Sequence, residues 1–373
     1  MSKKLHIISF DVPFPATYGG IVDVFYKLKK LHELGVDITL HCYHYKDHNP
    51  PTKELEKYCS KVFYYERKQS ILKLLFSRLP YIVSSRNSPE LLSRIASDPA
   101  AVLMEGVHST FWILHKDLKD LKLIFRAHNI EHEYYLGLAK AEKNWLKKIY
   151  LNREANKLLK YEWELRNANA ILSISKRDTE YFKQYADTIH IPPFFDDSVQ
   201  TDLSNESEKF VLFHGNLSVP ENDKVARHII NYIASVSNQK FVIAGKNPSK
   251  QLVRLAGVCS NVDVVNSPTD EQLNILMKDA HINLLMSFQQ TGVKLKLLNA
   301  LQKGRHIIIN EMMDDDGIFK DLCTIENEDE AIVQKIDDLM EIPFTAKEQA
   351  ERNVKFKEIF NNESAAQKII QLL

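Results

Sequence analysis

The segment with the most chemical potential in this chain runs from Ser287 to Gly304. Its pattern predicts a strand that ends at Met286, a glycine-containing loop, and a helix that begins near Thr291 or Gly292. A helix N-terminus offers free N–H groups and partial positive charge, which suits a bound diphosphate. Lys294 falls in the first helical turn, where lysine is unfavourable against the helix dipole unless an anion offsets it. The segment therefore predicts a phosphate site.

Other residues of this segment complete the predicted donor site. Asn299 lies one turn deeper in the helix and can hydrogen-bond a ribose hydroxyl, while Ser287 and Val293 flank the loop. Lys296 is two residues beyond Lys294 and cannot share its helix face, so we expect it to point to solvent or to a neighbouring loop. The structural alternative is an ordinary helix with a surface lysine pair.

Glycine-containing loops follow three other predicted strands. Gly19 and Gly20 open a helix after the first strand, and Gly215 and Asn216 follow the first strand of the second half. The third loop, at the next strand end, contains Lys246, which can meet phosphate charge. In each loop, glycine lets a ligand approach the backbone closely. The alternative for each is a plain turn between a strand and a helix. Together they predict a ligand site at the carboxyl ends of the strands.

Polar side chains follow two buried strands of the first half. His128 and Asn129 come directly after one strand, and Glu105 ends another. His128 can hydrogen-bond a sugar hydroxyl with the support of Asn129, and Glu105 can accept hydrogen bonds from acceptor hydroxyls or act as a base. The alternatives are a capped strand end with a satisfied histidine, and an acid beside a turn glycine.

These loops need a parallel sheet to position them. Short apolar runs, six in each half of the chain, alternate with amphipathic helices, which is typical of parallel strands covered on both faces. Pro192 and Pro193 followed by an acidic, polar stretch predict a linker between residues 191 and 208. The 373 residues therefore form two α/β domains rather than one.

Bulk composition excludes several classes of protein. Lys+Arg and Asp+Glu both number 49, so no global field attracts nucleic acid. The four cysteines are scattered without metal spacing, and no apolar run is long enough to span a membrane, so we expect a cytoplasmic location. Basic amphipathic stretches at 68–79 and 140–160 predict peripheral contact with the inner membrane face; core-facing helices with lysine on the wet side are the alternative.

Several enzyme motifs are missing or unconvincing. Asp314 and Asp316 have the spacing of a metal-binding DxD motif, but a solvated acidic turn explains them better. No phosphate-binding GxxxxGK[ST] loop, full GxGxxG fingerprint or Ser/His/Asp pattern is present, which disfavours ATPase, dehydrogenase and hydrolase readings. No metal and no cofactor is expected.

With these residues in place, the chain resembles the GT-B glycosyltransferases of the family-four type, retaining enzymes of bacterial polysaccharide assembly. The resemblance rests on the loops at Gly19, His128, Ser173, Gly215 and Gly245, and above all on the loop and helix from residue 291 to 304. It implies two Rossmann-like domains with parallel sheets facing across a cleft. Residues 1–195 would bind the acceptor, residues 196–349 the nucleotide sugar, and a terminal helix at about 350–373 would cross back to the first domain.

The resemblance also implies a reaction. A sugar would pass from a UDP- or GDP-linked donor to a glycan or lipid-linked acceptor, with retention and without a metal. Two family glutamates appear as Thr291 and Asn299, and Asn216 stands where the family has a basic residue. These departures favour, as the alternative, a non-catalytic nucleotide-sugar-binding homologue or assembly partner. Sugar-nucleotide epimerisation is a third reading, which the absence of acids on the donor helix disfavours.

Overall fold

A computed structural model describes residues 2–16, 19–46, 48–68, 70, 77–142, 144–197, 208–289, 295–314 and 316–373. The chain divides into two compact domains. The first comprises residues 1–197 together with 360–373, and the second comprises residues 198–359.

The first domain contains a parallel sheet of seven strands in the order β3-β2-β1-β4-β5-β6-β7. Its strands are β1 (Lys4–Ser9), β2 (Asp37–His44), β3 (Lys61–Glu66), β4 (Ala101–Glu105), β5 (Leu123–Ala127), β6 (Ala170–Ser173) and β7 (Thr188–His190). Its helices up to the linker are α1 (Gly19–Glu33), α2 (Tyr81–Ser84), α3 (Pro89–Ser97), α4 (Glu131–Ala141), α5 (Trp145–Tyr161) and α6 (Lys176–Phe182). Separate apolar cores cover the two faces of this sheet, as expected for parallel strands.

The second domain contains a parallel sheet of six strands in the order β10-β9-β8-β11-β12-β13. Its strands are β8 (Glu208–His214), β9 (Lys240–Gly245), β10 (Val262–Asn266), β11 (Ala280–Leu285), β12 (His306–Ile309) and β13 (Thr324–Ile325). Its helices are α7 (Pro220–His228), α8 (Lys250–Ala256), α9 (Asp270–Asp279), α10 (Leu295–Lys303), α11 (Asp329–Met340) and α12 (Ala346–Ile359).

The last helix, α13 (Asn362–Leu372), belongs to the first domain. Ala366 and Ile369 are fully buried in the core that also contains residues of α1. The Asn362 amide donates a hydrogen bond of 2.8 Å to the Phe195 carbonyl, just before the linker. The sequence pattern suggests one continuous terminal helix, but the structure has two, because Phe360 and Asn361 interrupt it between α12 and α13.

The prediction of two Rossmann-like α/β domains on parallel sheets is confirmed. Strand β7 is an addition that the sequence did not reveal, since it has three half-buried residues. The start of the predicted linker is also different. Ile191 and Phe194 are fully buried in the first-domain core, so this proline-containing segment packs there before the chain leaves the domain.

Candidate functional site

A network of buried charges lies at the carboxyl edge of the first-domain sheet. Asp23 of α1 accepts two hydrogen bonds from Arg126 of β5, at 2.8 and 3.1 Å, and one of 2.7 Å from Lys27. Lys27 also lies 2.8 Å from Glu105 at the end of β4. The ring of His128 completes the network, with its Nε2 3.0 Å from Glu105. The predicted pair Glu105 and His128 is thus brought together.

The network fixes the protonation of its members. Burial opposes ionisation of Asp23, but the charges of Arg126 and Lys27 outweigh it and lower the pKa of Asp23. The pKa of Glu105 is likewise lowered because Lys27 and the hydrogen bond to His128 overcome the effect of burial. An ionised Glu105 only accepts, so Nε2–H of His128 donates to it, and Nδ1 is the ring nitrogen that points away from Glu105.

Glu105 itself is fully buried and in contact with Lys27 and His128. The expectation that Glu105 orients an acceptor directly therefore needs correction, because it presents no exposed atom to a substrate. It can act only by orienting His128, whose side chain is 10% exposed.

A metal ion does not fit this network. Asp23, Glu105 and His128 are grouped closely enough to ligate a metal, with their ligand atoms within 4.8 Å of one another. However, Lys27 and Arg126 already lie within ion-pair distance of the two carboxylates and balance their charges. The same oxygens cannot also accommodate a divalent cation without displacing these side chains.

The glycine pair that opens α1 packs beside this network. A Cβ added to Gly20 would lie 2.6 Å from the ring of Phe10, so a larger residue would require that ring to move. The Phe10 ring in turn meets the His128 ring edge-on, with centroids 5.6 Å apart. Gly19, at the first position of α1, is exposed. The glycine pair therefore lies beside His128.

The sequence analysis missed three residues of the network, although a signal for each was available. Arg126 lies within an otherwise apolar, buried strand, where a charge requires a partner. Asp23 and Lys27 are four residues apart within α1 and are both buried. An acid and a base at this spacing beside a buried arginine indicate an ion-pair network.

Asn129 belongs to a second buried group. Its side chain hydrogen-bonds Glu131, the first residue of α4. Burial raises the pKa of Glu131 to about 7, and the hydrogen bond from Asn129 only partly offsets this effect. The charges of Glu162 and Asp178 raise this pKa further. Asn129 is thus engaged by a neighbouring carboxyl group rather than by His128.

We expect Glu131→Gln to stabilise the first domain at pH 8 but not at pH 4. The folded-state pKa of Glu131 is raised, so its contribution is complete below the unfolded pKa of about 4.3 and is lost as the pH rises through 7. The difference between the folded and unfolded pKa of Glu131 lowers the free energy of unfolding by about 3 kcal/mol at pH 8, and Glu131→Gln removes this loss. Urea unfolding followed by tryptophan fluorescence measures it. Glu133→Gln on the same helix is the control, and equal effects of Glu131→Gln at both pH values would contradict the assignment.

The second domain brings two glycine loops into very close approach. A Cβ on Gly245 would lie 1.9 Å from the carbonyl oxygen of Gly215 and 2.8 Å from Leu217. The Gly215 amide donates to the Ala244 carbonyl at 3.1 Å, which holds the two strand ends together. Both predicted glycines therefore lie at the carboxyl edge of the sheet, where ligands of such folds bind.

Two predicted donor residues have their side chains occupied within the domain. The Asn216 side-chain oxygen accepts hydrogen bonds from the backbone and hydroxyl of Ser218, at 3.1 and 2.6 Å. The Ser287 hydroxyl lies within hydrogen-bond distance of both Glu221 and the Gln289 carbonyl and can donate its one proton to either. These bonds occupy both side-chain oxygens within the domain.

Lys296 takes the second of its two expected positions, against a neighbouring loop. It does not extend to solvent: its ammonium donates at 3.3 Å to both the Met286 carbonyl and the Asn222 side chain. It also lies 5.2 Å from the centre of the Phe213 ring. Lys296 therefore lies over the ends of β8 and β11, at the same edge as Gly215. The spacing of two residues between Lys294 and Lys296 shows that they lie on different helix faces. It does not show which of the two faces the edge of the sheet.

The remaining donor predictions are not tested. Thr291, Gly292, Val293 and Lys294 lie outside the described residues. Asn299 and Lys246 are exposed. Their contacts with a donor stay predictions.

His214 ends strand β8 beneath Lys296. It is buried, and its Nε2 has no hydrogen-bond partner among the residues that the structure describes. Burial, with the charges of Lys296 and Lys303, lowers the pKa of His214 to about 3. A neutral ring is therefore present at physiological pH, so the positive charge at this edge comes from lysine.

The acidic turn has a structural role. Asp314 accepts hydrogen bonds of 2.8 and 3.1 Å from the backbone amides of Ile318 and Phe319. These bonds stabilise a turn, as the acidic-turn interpretation of Asp314 and Asp316 proposes.

The basic helices differ along their length. Trp145, Leu146 and Ile149, in the first turns of α5, have exposed fractions of 67%, 59% and 58%, whereas Leu151 and Leu158 are buried. Much of the 68–79 stretch lies outside the described residues. Every helix in the described part of the chain is too short or too polar to span a bilayer. Peripheral membrane contact stays a prediction.

Comparison with known structures defines the fold class of this chain as GT-B. Sucrose-phosphate synthase from Thermosynechococcus elongatus matches with a TM-score of 0.70 at 15% identity, over 99% of this chain and 98% of that one. HepE from Anabaena, in complex with UDP and glucose, matches with a TM-score of 0.66 at 13% identity, over 99% and 98%. TarM matches with a TM-score of 0.69 at 11% identity, over 100% and 99%.

The second domain matches a family model. Residues 208–341 match the model described as glycosyl transferases group 1. An uncharacterized 44.6 kDa protein in the cps region of Klebsiella pneumoniae is 29% identical over 332 residues, which are 82% of each chain. The GT-B fold expected from the sequence is confirmed, and the match of the second domain agrees with the resemblance to glycosyltransferases.

Proposed function

We propose that this chain transfers a sugar from a nucleotide-sugar donor to a glycan or lipid-linked glycan acceptor, with retention of configuration and without a metal. A UDP- or GDP-linked hexose is the donor class. The observation that carries the proposal is Lys296, an ammonium held over the strand ends where Gly215 and Gly245 bring backbone together, within the matched family domain.

The second domain binds the donor at this edge. As the glycosidic bond breaks, negative charge develops on the leaving diphosphate, and a fixed cation in a partly buried place stabilises it. Lys296 supplies that cation, and its hydrogen bonds to the neutral Met286 and Asn222 oxygens hold it in place before the reaction. Lys294 and the N-terminus of the following helix add further charge in this proposal. A lysine ammonium then takes the part that a divalent ion takes in metal-dependent transferases.

The first domain binds the acceptor. His128 is oriented by Glu105, and its Nδ1 accepts a hydrogen bond from a sugar hydroxyl. Because Glu105 stays ionised beside Lys27, the Nε2 of His128 carries the proton that Glu105 accepts. Gly20 lets the Phe10 ring pack between the start of α1 and this ring.

The test is ligand-dependent thermal stability of the purified chain against a panel of nucleoside diphosphates and nucleotide sugars. A ligand at 100 times its dissociation constant adds about 2.7 kcal/mol, which calorimetry detects. We expect one base to give a shift and Lys296→Ala to weaken its binding roughly tenfold to a hundredfold, the value of a hydrogen bond to a charged group.

Lys303→Ala is the matched control, because Lys303 lies on the same helix but bonds Asn274 at 2.8 Å. Its donor affinity should equal that of the wild type. If Lys296→Ala keeps full affinity for the preferred ligand, the donor-site assignment is wrong. Binding without any sugar transfer or donor hydrolysis would instead favour the non-catalytic homologue.

A further inference from the structure

Two arginines flank one tyrosine ring at the carboxyl edge of the first-domain sheet. Tyr45 follows β2 and Arg67 follows β3, where the Arg67 amide donates to the His44 carbonyl at 2.9 Å. The guanidinium carbons of Arg67 and Arg86 lie 4.8 and 5.9 Å from the centre of the Tyr45 ring. We call Arg67 and Arg86 the arginine pair.

Aromatic and polar contacts hold the Arg67 guanidinium in position. It lies 5.3 Å from the Tyr81 ring as well as close to Tyr45, and its Nε donates to the Ser85 hydroxyl at 2.9 Å. These contacts use the guanidinium faces and one N–H. A side-chain hydrogen bond also joins Arg67 to Tyr45, so its hydrogen-bond partners Ser85 and Tyr45 are both neutral groups. A planar fork held in this way suits a bidentate oxoanion.

Arg86 is the buried member of the pair, with 3% of its surface exposed. Its Nε donates to the Phe10 carbonyl at 3.0 Å and one terminal nitrogen donates to the Ile82 carbonyl at 2.8 Å. The other terminal nitrogen has no partner in the described part of the chain. Both partners are neutral carbonyl groups. They satisfy two N–H donors of Arg86 but do not neutralise its positive charge.

No carboxylate among the described residues lies within ion-pair distance of either arginine. Asp11 acts on Arg86 only from a distance, because its carboxylate is bonded to His48 and to the Val12 amide. Burial, and next the charge of Arg67, lower the pKa of Arg86 to about 10. Buried charges in proteins are ordinarily paired, and two neighbouring arginines without a counter-ion indicate that the missing anion is a ligand.

We propose that the arginine pair is an anion subsite that recognises a phosphate or carboxylate group of the acceptor. Arg67 binds the oxoanion through its guanidinium group, and Arg86 contributes charge and one N–H from beneath. The inference that the acceptor is acidic rests on the proposed function, whereas the binding of an oxoanion does not.

The pair is placed to act together with His128. Arg86 holds the Phe10 carbonyl, and the Phe10 ring contacts the His128 ring. An acceptor whose hydroxyl meets His128 therefore extends its acidic group along the same sheet edge towards β2 and β3. A neutral glycan acceptor would leave the arginine pair unused.

The test uses the full-length chain, with inorganic phosphate and glucuronate as probes at constant ionic strength. Tryptophan fluorescence follows unfolding of the first domain, which contains Trp112, Trp145 and Trp163, the three tryptophans of the chain. We expect a saturable rise in the unfolding midpoint with at least one probe. Arg67→Met should weaken that binding at least tenfold. Arg67 is changed rather than Arg86 because its substitution leaves buried carbonyls paired.

Arg94→Met is the matched control. Arg94 also stacks on aromatic rings, at 3.9 Å from Phe63, but it pairs with Glu90. Its probe affinity should equal the wild-type value. A response to phosphate alone assigns a phosphorylated acceptor, and a response to glucuronate alone assigns an acidic sugar.

Equal midpoint shifts in the wild type and Arg67→Met would overturn the subsite, since they would reflect a general salt effect. Loss of the nucleoside diphosphate response in Arg67→Met would overturn the assignment to the acceptor. Failure of the donor test with Lys296→Ala leaves the probe experiment unaffected, so the two proposals fail separately.

Discussion

Asp23→Asn is expected to lower the free energy of unfolding of the first domain by about 3–5 kcal/mol, the cost of breaking a buried ion pair. The Asp23 carboxylate is fully enclosed and accepts hydrogen bonds from Arg126, Lys27 and the Phe194 amide. A neutral amide of the same size leaves the charges of Lys27 and Arg126 with Glu105 as the one remaining carboxylate of the network. Urea unfolding followed by tryptophan fluorescence measures the loss in this domain alone.

Glu33→Gln is the control for Asp23→Asn. Glu33 lies on the same helix and pairs with Lys30 at 2.7 Å, but the pair is partly exposed to solvent. It should change the free energy of unfolding by less than about 1 kcal/mol. If the two variants lose similar stability, the buried network does not hold the first domain together as described.

Gly245→Ala is expected to destabilise the second domain by more than about 3 kcal/mol, or to prevent its folding. The added methyl group would lie 1.9 Å from the Gly215 carbonyl oxygen, and this contact with backbone cannot be relieved by a side-chain rotation. The ends of β8 and β9 would have to separate, which also disrupts the proposed donor site. Calorimetry and far-ultraviolet circular dichroism measure the second-domain transition.

Gly257→Ala is the matched substitution. A Cβ there would have its nearest neighbours at 3.4 and 3.7 Å, and the residue has a φ of −66°, which alanine adopts readily. It should leave stability unchanged or raise it by about 0.4–1 kcal/mol. The tryptophan fluorescence midpoint should stay at the wild-type value in both variants. A Gly245→Ala protein as stable as Gly257→Ala would contradict the close approach of the two loops.

The sequence was sufficient for the fold because both sheets are parallel. Strands buried on both faces have to be short apolar runs, and the helices between them have to be amphipathic, so the alternation is visible in the chain. Strand β7 escaped this reading because an edge strand of three half-buried residues lacks an apolar run. The loop glycines at 20 and 245 were visible for a related reason, since a side chain at either would meet a ring or the backbone at less than 3 Å.

The partners of the site residues could not be read from the sequence. Glu105 and His128 are 23 residues apart, and Asp23 and Arg126 are 103 apart, so only the sheet order brings them together. Whether Glu105 meets solvent or Lys27 depends on that packing. Lys296 likewise depends on the direction in which its side chain leaves the helix, which periodicity places on a face but not against a particular carbonyl.

Release of nucleoside diphosphate from a panel of nucleotide sugars by the purified full-length chain tests the central proposal most directly. We expect one nucleotide sugar to be consumed. Lys296→Ala should lower the rate of release roughly tenfold to a hundredfold, and Lys303→Ala should leave it unchanged. No release from any nucleotide sugar by a chain that binds nucleoside diphosphate would contradict the assignment of glycosyl transfer.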